Sequence, residues 1–416
     1  MRILFHNCRL LHPLHGGDRI RTYHMLRELR KRHHITYLCL RTPADAPEAI
    51  ERATEYCHEL IAVEHAVKNQ RSLRFYLEVL GNTLAGKYPF LGTKYLSAEV
   101  TARLNALTSL THEPRFDLLI CDYLAPMVNL LEMPEPPPVP TLLFQHNVES
   151  VIFARHAATA KNPLKAALYR RQWRMMQMFE RESAEFVDAQ VAVSEPDVQT
   201  FRRELGMENV LGAVPTGVDC EFFQPATNAP TKPVMAFLGS MDWDANQDAV
   251  RWFIAEILPR IRQRVPEAEL VVIGRNPPAA LRDLAAKDGK VRITGTVPDV
   301  RPVMAEAKVM VLPLRIGGGT RIKIYEAMAM GVPVISTTIG AEGLDVAHGK
   351  NILLADAPES FAEHVSALLT DAPHAAKIAD EARRHVVENY SWSRAAEIFS
   401  DFCESAIARH GARAHS

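Results

Sequence analysis

Short, almost unbroken apolar runs recur along the chain, separated by longer stretches in which apolar residues return at helical spacing. Arg2–Asn7 (RILFHN), Ile35–Leu40 (ITYLCL), Asp117–Asp122 (DLLICD), Pro140–Asn147 (PTLLFQHN) and Asp188–Ser194 (DAQVAVS) are runs of this kind. Their apolar continuity fits strands buried on both faces. Between the first two lies a loop with Pro13, Gly16 and Gly17, then Ile20, Tyr23, Met25, Leu26 and Leu29 close to a helical period. Strand, helix and strand in so few residues make a βαβ unit and a parallel sheet. Further helices are predicted over Pro47–Leu60, twice between about Ser72 and Leu110, over Asn162–Glu185 and over Glu195–Leu205. The strand VLGAV beginning at Val210 closes the series.

A polar, proline-bearing stretch, ATNAPTKP, precedes a second α/β series. Its strands are predicted at Val234–Ser240, Glu269–Gly274, Val291–Gly295, Lys308–Leu314 and Pro333–Thr337, with helices between them and three more after. One helix is predicted over Asp248–Pro266. Two series of similar size fit two doubly wound α/β domains better than one very wide sheet.

Composition narrows the class. The chain has 416 residues, 47% of them hydrophobic, and a formal net charge of −1. These values fit an ordinary globular protein and give no charge argument for a nucleic-acid partner. The six cysteines are scattered without a C-x-x-C pair, so small core residues in a reducing compartment are expected. No apolar run approaches the ~20 residues of a membrane span, and the first residues read poorly as a secretory signal, so a cytoplasmic protein is expected. Arg170, Arg171 and Arg174 sit beside Trp173, Met175, Met176 and Phe179 in the Asn162–Glu185 helix. Two readings stay open for it: a helix covering the sheet with a charged outer face, or a peripheral contact with a membrane surface.

The densest chemistry follows the strand Lys308–Leu314. Gly317, Gly318 and Gly319 form a turn, Thr320 is a suitable N-cap, and Arg321, Lys323 and Glu326 open a helix. The carboxyl end of a strand is where open α/β sheets bind ligands, and a helix N-terminus presents unpaired N–H groups and positive dipole. Two cations in a first helical turn oppose that dipole by roughly 0.3–1 kcal/mol each unless an anion lies between them. A diphosphate answers that need, and Glu326 can accept hydrogen bonds from a ribose diol.

The segment PLRIGGGTRIKIYEAMAMGVPVISTTIGAEGL resembles the donor site of the large retaining glycosyltransferase family 4, which has the GT-B fold. Four other stretches resemble the family in order and spacing: HPLHGGDRIRTYHMLREL, VPTGVDCEFFQP, FLGSMDWDANQDAVRWF and YSW. The resemblance implies two Rossmann-like domains facing a cleft, over residues 1–216 (acceptor side) and 217–388 (donor side), with a helix over 389–416 crossing back to the first. It implies a nucleotide-diphosphate sugar as donor substrate, no other cofactor, no metal, and a sugar, lipid-linked or small-molecule acceptor. Gly17 and Ser240 would join the glycine turn, Thr320 and Glu326 around the donor. His146 would face the transferred sugar, with Arg19, Arg21 and Asp122 on the acceptor side. Arg321 and Lys323 would stabilise the leaving diphosphate. Two departures stand out. The first of the family's two glutamates falls at Gly318, and its phosphate-binding cations fall near Ser240 and Asn246. The implied activity is hexosyl transfer with retention, in envelope polysaccharide or glycoconjugate synthesis. A nucleotide-sugar epimerase of the same fold and a non-catalytic sensor remain alternatives. The triplet Asp242–Asp244 (DWD) resembles a metal motif of another fold that GT-B enzymes do not require.

Overall fold

The computed structural model describes residues 1–14, 17–65, 81–83, 85–109, 115–159, 162–316 and 322–414. The chain divides into two compact units, Met1–Thr216 with Ala395–Ser416, and Gly217–Arg394. Both are doubly wound α/β units, as the alternating pattern predicts.

The first unit holds seven strands: β1 (Arg2–Asn7), β2 (His34–Arg41), β3 (Glu59–Glu64), β4 (Leu118–Asp122), β5 (Thr141–Phe144), β6 (Ala189–Ala192) and β7 (Val210–Ala213). Their order is β3-β2-β1-β4-β5-β6-β7, and all pairs are parallel. Phe5 of β1 sits opposite Tyr37 of β2 and Ile120 of β4, which fixes the register at the centre. On one face Leu4, Leu38, Leu119 and Leu143 pack with Leu104 and Phe179 in one core cluster. Phe179 belongs to the helix Pro163–Phe186, whose N-cap Asn162 Oδ1 accepts from Leu164 N at 2.9 Å and Lys165 N at 3.2 Å. The helix Trp392–Ala414 packs on this unit from Ala395 onward. Its Phe399 ring lies 4.9 Å from Phe144, and its His410 Nδ1 lies 3.0 Å from Asp188 Oδ2.

Two predicted elements differ here. The helix expected over Pro47–Leu60 stops at Glu51, tightens into a 3₁₀ turn over Arg52–Glu55, and gives way to β3. Strand β3 lies at the sheet edge and is only half-buried, so its apolar residues lack the continuity that marks the central strands. Of the helices expected between Ser72 and Leu110, Phe90–Thr93 and Ala98–Thr108 are present, and residues 66–80 and 84 fall outside the described residues.

The second unit holds β8 (Val234–Leu238), β9 (Glu269–Ile273), β10 (Val291–Gly295), β11 (Val309–Leu312), β12 (Val334–Ser336) and the two-residue β13 (Leu353–Leu354). They form a parallel sheet in the order β10-β9-β8-β11-β12-β13. β11 ends at Leu312 because Pro313 has no N–H to continue the ladder. The predicted helix over Asp248–Pro266 begins earlier, at Asp244, and is interrupted by a wider π turn over Phe253–Ile257 before Leu258–Arg264. Pro259, which cannot donate a helix hydrogen bond, directly follows that turn.

Each sheet reverses its winding once: between β1 and β4 in the first unit, and between β8 and β11 in the second. These are the topological switch points at whose carboxyl ends ligands bind. Among the described residues no helix is long and apolar enough to cross a membrane. All six cysteines are free, five of them buried.

Candidate functional site

In the first unit the switch point is built around Asp122, the last residue of β4. It is fully buried, and both carboxylate oxygens are engaged. Asn7, the last residue of β1, donates from Nδ2 to Asp122 Oδ2 at 2.6 Å, and Thr22 Oγ1 donates to the same oxygen at 2.6 Å. His146 Nε2 lies 2.8 Å from Oδ1. His146 follows β5 by two residues and is buried, with its Nδ1 unpartnered among the described residues. Its ring is held edge-on by Phe144 at 4.8 Å and Tyr123 at 5.7 Å. Tyr123 has a left-handed backbone, φ 81°, and its hydroxyl donates to Glu149 Oε1 at 2.7 Å. Such conformations concentrate at functional sites.

A small polar pocket opens on this cluster, lined by Asn7, Arg9, Asp18, Arg19, Thr22 and His146 among others. Arg9 Nη2 pairs with Asp18 Oδ2 at 3.1 Å. Arg19 donates from Nη1 to the Pro13 carbonyl at 3.0 Å. Gly17 opens the helix Gly17–Leu29, with open space where a Cβ would stand.

Two acceptor-side expectations change. Asp122 offers nothing to an acceptor hydroxyl, because a fully buried carboxylate with three donors has neither exposure nor spare capacity. Arg21 does not line the pocket; its Nη2 donates to Thr216 Oγ1. Burial lowers its pKa to about 10 against the opposing pull of Asp122, Asp197 and Asp18.

In the second unit the loops after β8 and β9 are pinned together. Gly239 N donates to Ile273 O at 2.9 Å, and a Cβ on Gly274 would stand 1.8 Å from the Gly239 carbonyl oxygen. Only glycine permits that approach. Ser240 Oγ donates to Asp242 Oδ2 at 2.9 Å. Arg275 Nε lies 2.8 Å from Asp242 Oδ2 and 3.1 Å from Ser240 Oγ, and Asn276 Nδ2 donates to Asp242 Oδ1 at 2.9 Å. These partners hold the Asp242 carboxyl below its usual pKa, Asn276 and Ser240 foremost. Asn246, buried in the next helix, donates to the Ser240 carbonyl at 2.7 Å, so it shapes the loop through its amide. Among the described residues no group of three or more His, Cys, Asp or Glu could hold a metal ion.

Gly317, Gly318, Gly319, Thr320 and Arg321 lie outside the described residues. The helix that follows, Ile322–Ala329, buries Ile324, Tyr325, Ala327, Met328 and Ala329. Lys323 and Glu326 are half-buried, three residues apart on the remaining side. Burial pushes the Glu326 carboxyl up to about 7, with the Lys323 charge acting in the opposite direction. Just before the glycine turn, Arg315 forks onto Asp248, Nη2 to Oδ1 at 2.6 Å and Nε to Oδ2 at 3.1 Å.

Sequence reasoning passed over Asn7, Thr22 and Arg275. Arg275 follows Gly274 at the carboxyl end of β9, the same placement that drew attention to the turn after β11. Asn7 and Thr22 carried no local signal; only the parallel pairing of β1 with β4 brings them to Asp122.

Residues 15–222 match the family model described as "Glycosyltransferase Family 4", and residues 232–371 match the one described as "Glycosyl transferases group 1". A curated relative from Mycobacterium tuberculosis (strain ATCC 25618 / H37Rv) is a GDP-mannose-dependent alpha-(1-6)-phosphatidylinositol monomannoside mannosyltransferase. It is 28% identical over 300 residues, covering 63% of this chain and 77% of the relative. Among solved structures, sucrose-phosphate synthase from Thermosynechococcus elongatus superposes with a TM-score of 0.65 at 15% identity, covering 98% of this chain and 99% of the other. Alr3699/HepE from Anabaena, in complex with UDP and glucose, does so with a TM-score of 0.62 at 14% identity, covering 97% and 100%. Those two likenesses show the GT-B architecture. The chain belongs to glycosyltransferase family 4.

Proposed function

We propose that this chain transfers a hexosyl group from a nucleotide-diphosphate sugar to an acceptor hydroxyl, with retention of anomeric configuration. The observation that supports it most is the helix Ile322–Ala329 at the β8/β11 switch point, with Lys323 in its first turn and Glu326 half-buried one turn on. Lys323, Arg321 and the helix N-terminus would hold the diphosphate and stabilise its charge as it leaves. The glycine turn and Thr320 would let backbone and hydroxyl donors reach the phosphates, and Glu326 would accept from the ribose. In the first unit His146 would face a sugar hydroxyl. No side chain is placed as a nucleophile, so the leaving phosphate takes up the acceptor's proton on the same face of the sugar.

GDP-mannose is the first donor to test, because the curated relative from Mycobacterium tuberculosis depends on it. That relative acts on a phosphatidylinositol mannoside, so a lipid-linked acceptor is the matching proposal. The helix Pro163–Phe186 supports a peripheral membrane contact. Its exposed side carries Leu164 and Met178, each 69% exposed, with Arg170, Arg174 and Arg181 and no acid before Glu180.

The test is incubation with GDP-mannose and an acceptor such as methyl α-mannoside, with the product's anomeric configuration read by NMR. An α-linked disaccharide supports the proposal. A β-linked product overturns retention. Conversion of donor without acceptor favours an epimerase, and binding without conversion favours a sensor.

A further inference from the structure

We infer that Asp122 is a positioning residue: with Asn7 and Thr22 behind it, it fixes His146 as a hydrogen-bond acceptor, so that the first unit's switch-point pocket receives a neutral sugar hydroxyl donated into His146 Nδ1. The inference rests on the glycosyl-transfer reading for its substrate class, but its structural half stands without it.

The chain of donors is unambiguous. Asn7 Oδ1 accepts the Arg9 N–H at 3.2 Å, which fixes the amide so that Nδ2 faces Asp122. Thr22 donates to the same carboxylate oxygen. With two donors on Oδ2 and the ring on Oδ1, Asp122 is an acceptor throughout, so His146 Nε2 must carry hydrogen. The lone pair then belongs to Nδ1, the ring atom left buried and unpartnered among the described residues. Phe144 and Tyr123 bracket the ring and oppose its rotation.

The pocket's charges select the donor. Asp18 answers Arg9 at 3.1 Å, and Asp122 and Arg19 add one charge of each sign. Burial pushes the Cys8 thiol up, which keeps it neutral. A balanced wall with one buried lone pair suits a hydroxyl better than a phosphate or carboxylate. That hydroxyl belongs either to the transferred sugar or to the acceptor; the chemistry is the same for both.

Long-range ¹H–¹⁵N NMR on histidine-labelled protein reads the tautomer directly. Wild type is expected to show His146 protonated at Nε2 with Nδ1 bare. Asp122→Asn presents an amide N–H to Nε2 and is expected to move the proton to Nδ1, whereas Thr22→Val, which leaves the carboxylate, keeps the wild-type tautomer. Affinity for GDP-mannose and GDP, and turnover onto methyl α-mannoside, are then compared across these variants and His146→Ala. A loss of about ten- to hundredfold for GDP-mannose but not GDP assigns the hydroxyl to the transferred sugar. An equal loss confined to the KM for methyl α-mannoside assigns it to the acceptor. Wild-type His146 protonated at Nδ1 and bare at Nε2, or a tautomer unmoved by Asp122→Asn, overturns the inference. If GDP-mannose neither binds nor turns over while the tautomer behaves as stated, the substrate reading fails and the positioning role of Asp122 stands.

Discussion

Glu326 offers a quantitative test of the nucleotide site. Burial raises its pKa to about 7, so near neutral pH the carboxyl is only partly ionised. Two ribose hydroxyls can both donate only to the carboxylate, so nucleotide binding below that pKa must first expel a proton. Affinity for GDP is therefore expected to weaken about tenfold per pH unit below 7, and to level off above it, because one unit corresponds to about 1.4 kcal/mol. The sign follows from the folded pKa lying above the usual value: the free protein holds the proton and the complex releases it. Glu326→Gln removes the titration and one charge-assisted acceptor, at about 1.5–3 kcal/mol, or roughly ten- to hundredfold in affinity at high pH. Isothermal titration calorimetry with GDP between about pH 6 and pH 8, in buffers of differing ionisation heat, measures affinity and proton release together. Wild-type affinity that ignores pH, with no proton released and no loss in Glu326→Gln, would remove Glu326 from the ribose.

Other outcomes follow from the same geometry. Glu180 is fully buried beside Glu149, and burial raises its pKa to about 7; its folded form keeps a proton that the unfolded chain loses near pH 4. Stability should then fall by about 3 kcal/mol as pH rises from about 4 through 7, and Glu180→Gln should flatten that fall in urea titrations. Gly274→Ala forces a Cβ onto the Gly239 carbonyl and should unfold or severely weaken the second unit, seen as a lost or lowered melting transition. Lys323→Ala should weaken GDP about tenfold while leaving guanosine nearly unchanged in calorimetry, because it acts on the phosphates. Phe399→Ala empties a fully buried ring site against Phe144 and should cost about 3–5 kcal/mol in denaturant unfolding.

The two sheets were legible because their central strands are short apolar runs that nothing else explains: RILFHN, DLLICD and VMAFLG leave little choice. Edge elements were not. β3 is half-exposed, and β13 pairs through only two residues, so neither leaves a hydrophobic signature. The π turn at Phe253–Ile257 keeps its apolar residues close to helical spacing and so hides inside a continuous pattern. In the site, Lys323 and Glu326 could be found by reading one loop. Asp122 could be found too, but its role was misjudged: a strand-end carboxylate looks available until Asn7 and Thr22 arrive, 115 and 100 residues away in sequence. The Arg275–Asp242 contact similarly joins two loops 33 residues apart. Nonlocal pairing creates these contacts, and no window of sequence contains them.

The most direct measurement is a thermal-shift panel of nucleotides and nucleotide-diphosphate sugars on the full chain. A diphosphate sugar held at the Lys323–Glu326 helix should raise the melting temperature, by the equivalent of about 2.7 kcal/mol at a hundredfold excess over Kd, and its monophosphate should do markedly less. A panel in which no nucleoside diphosphate or its sugar shifts the transition more than the monophosphates would contradict a donor site in the second unit.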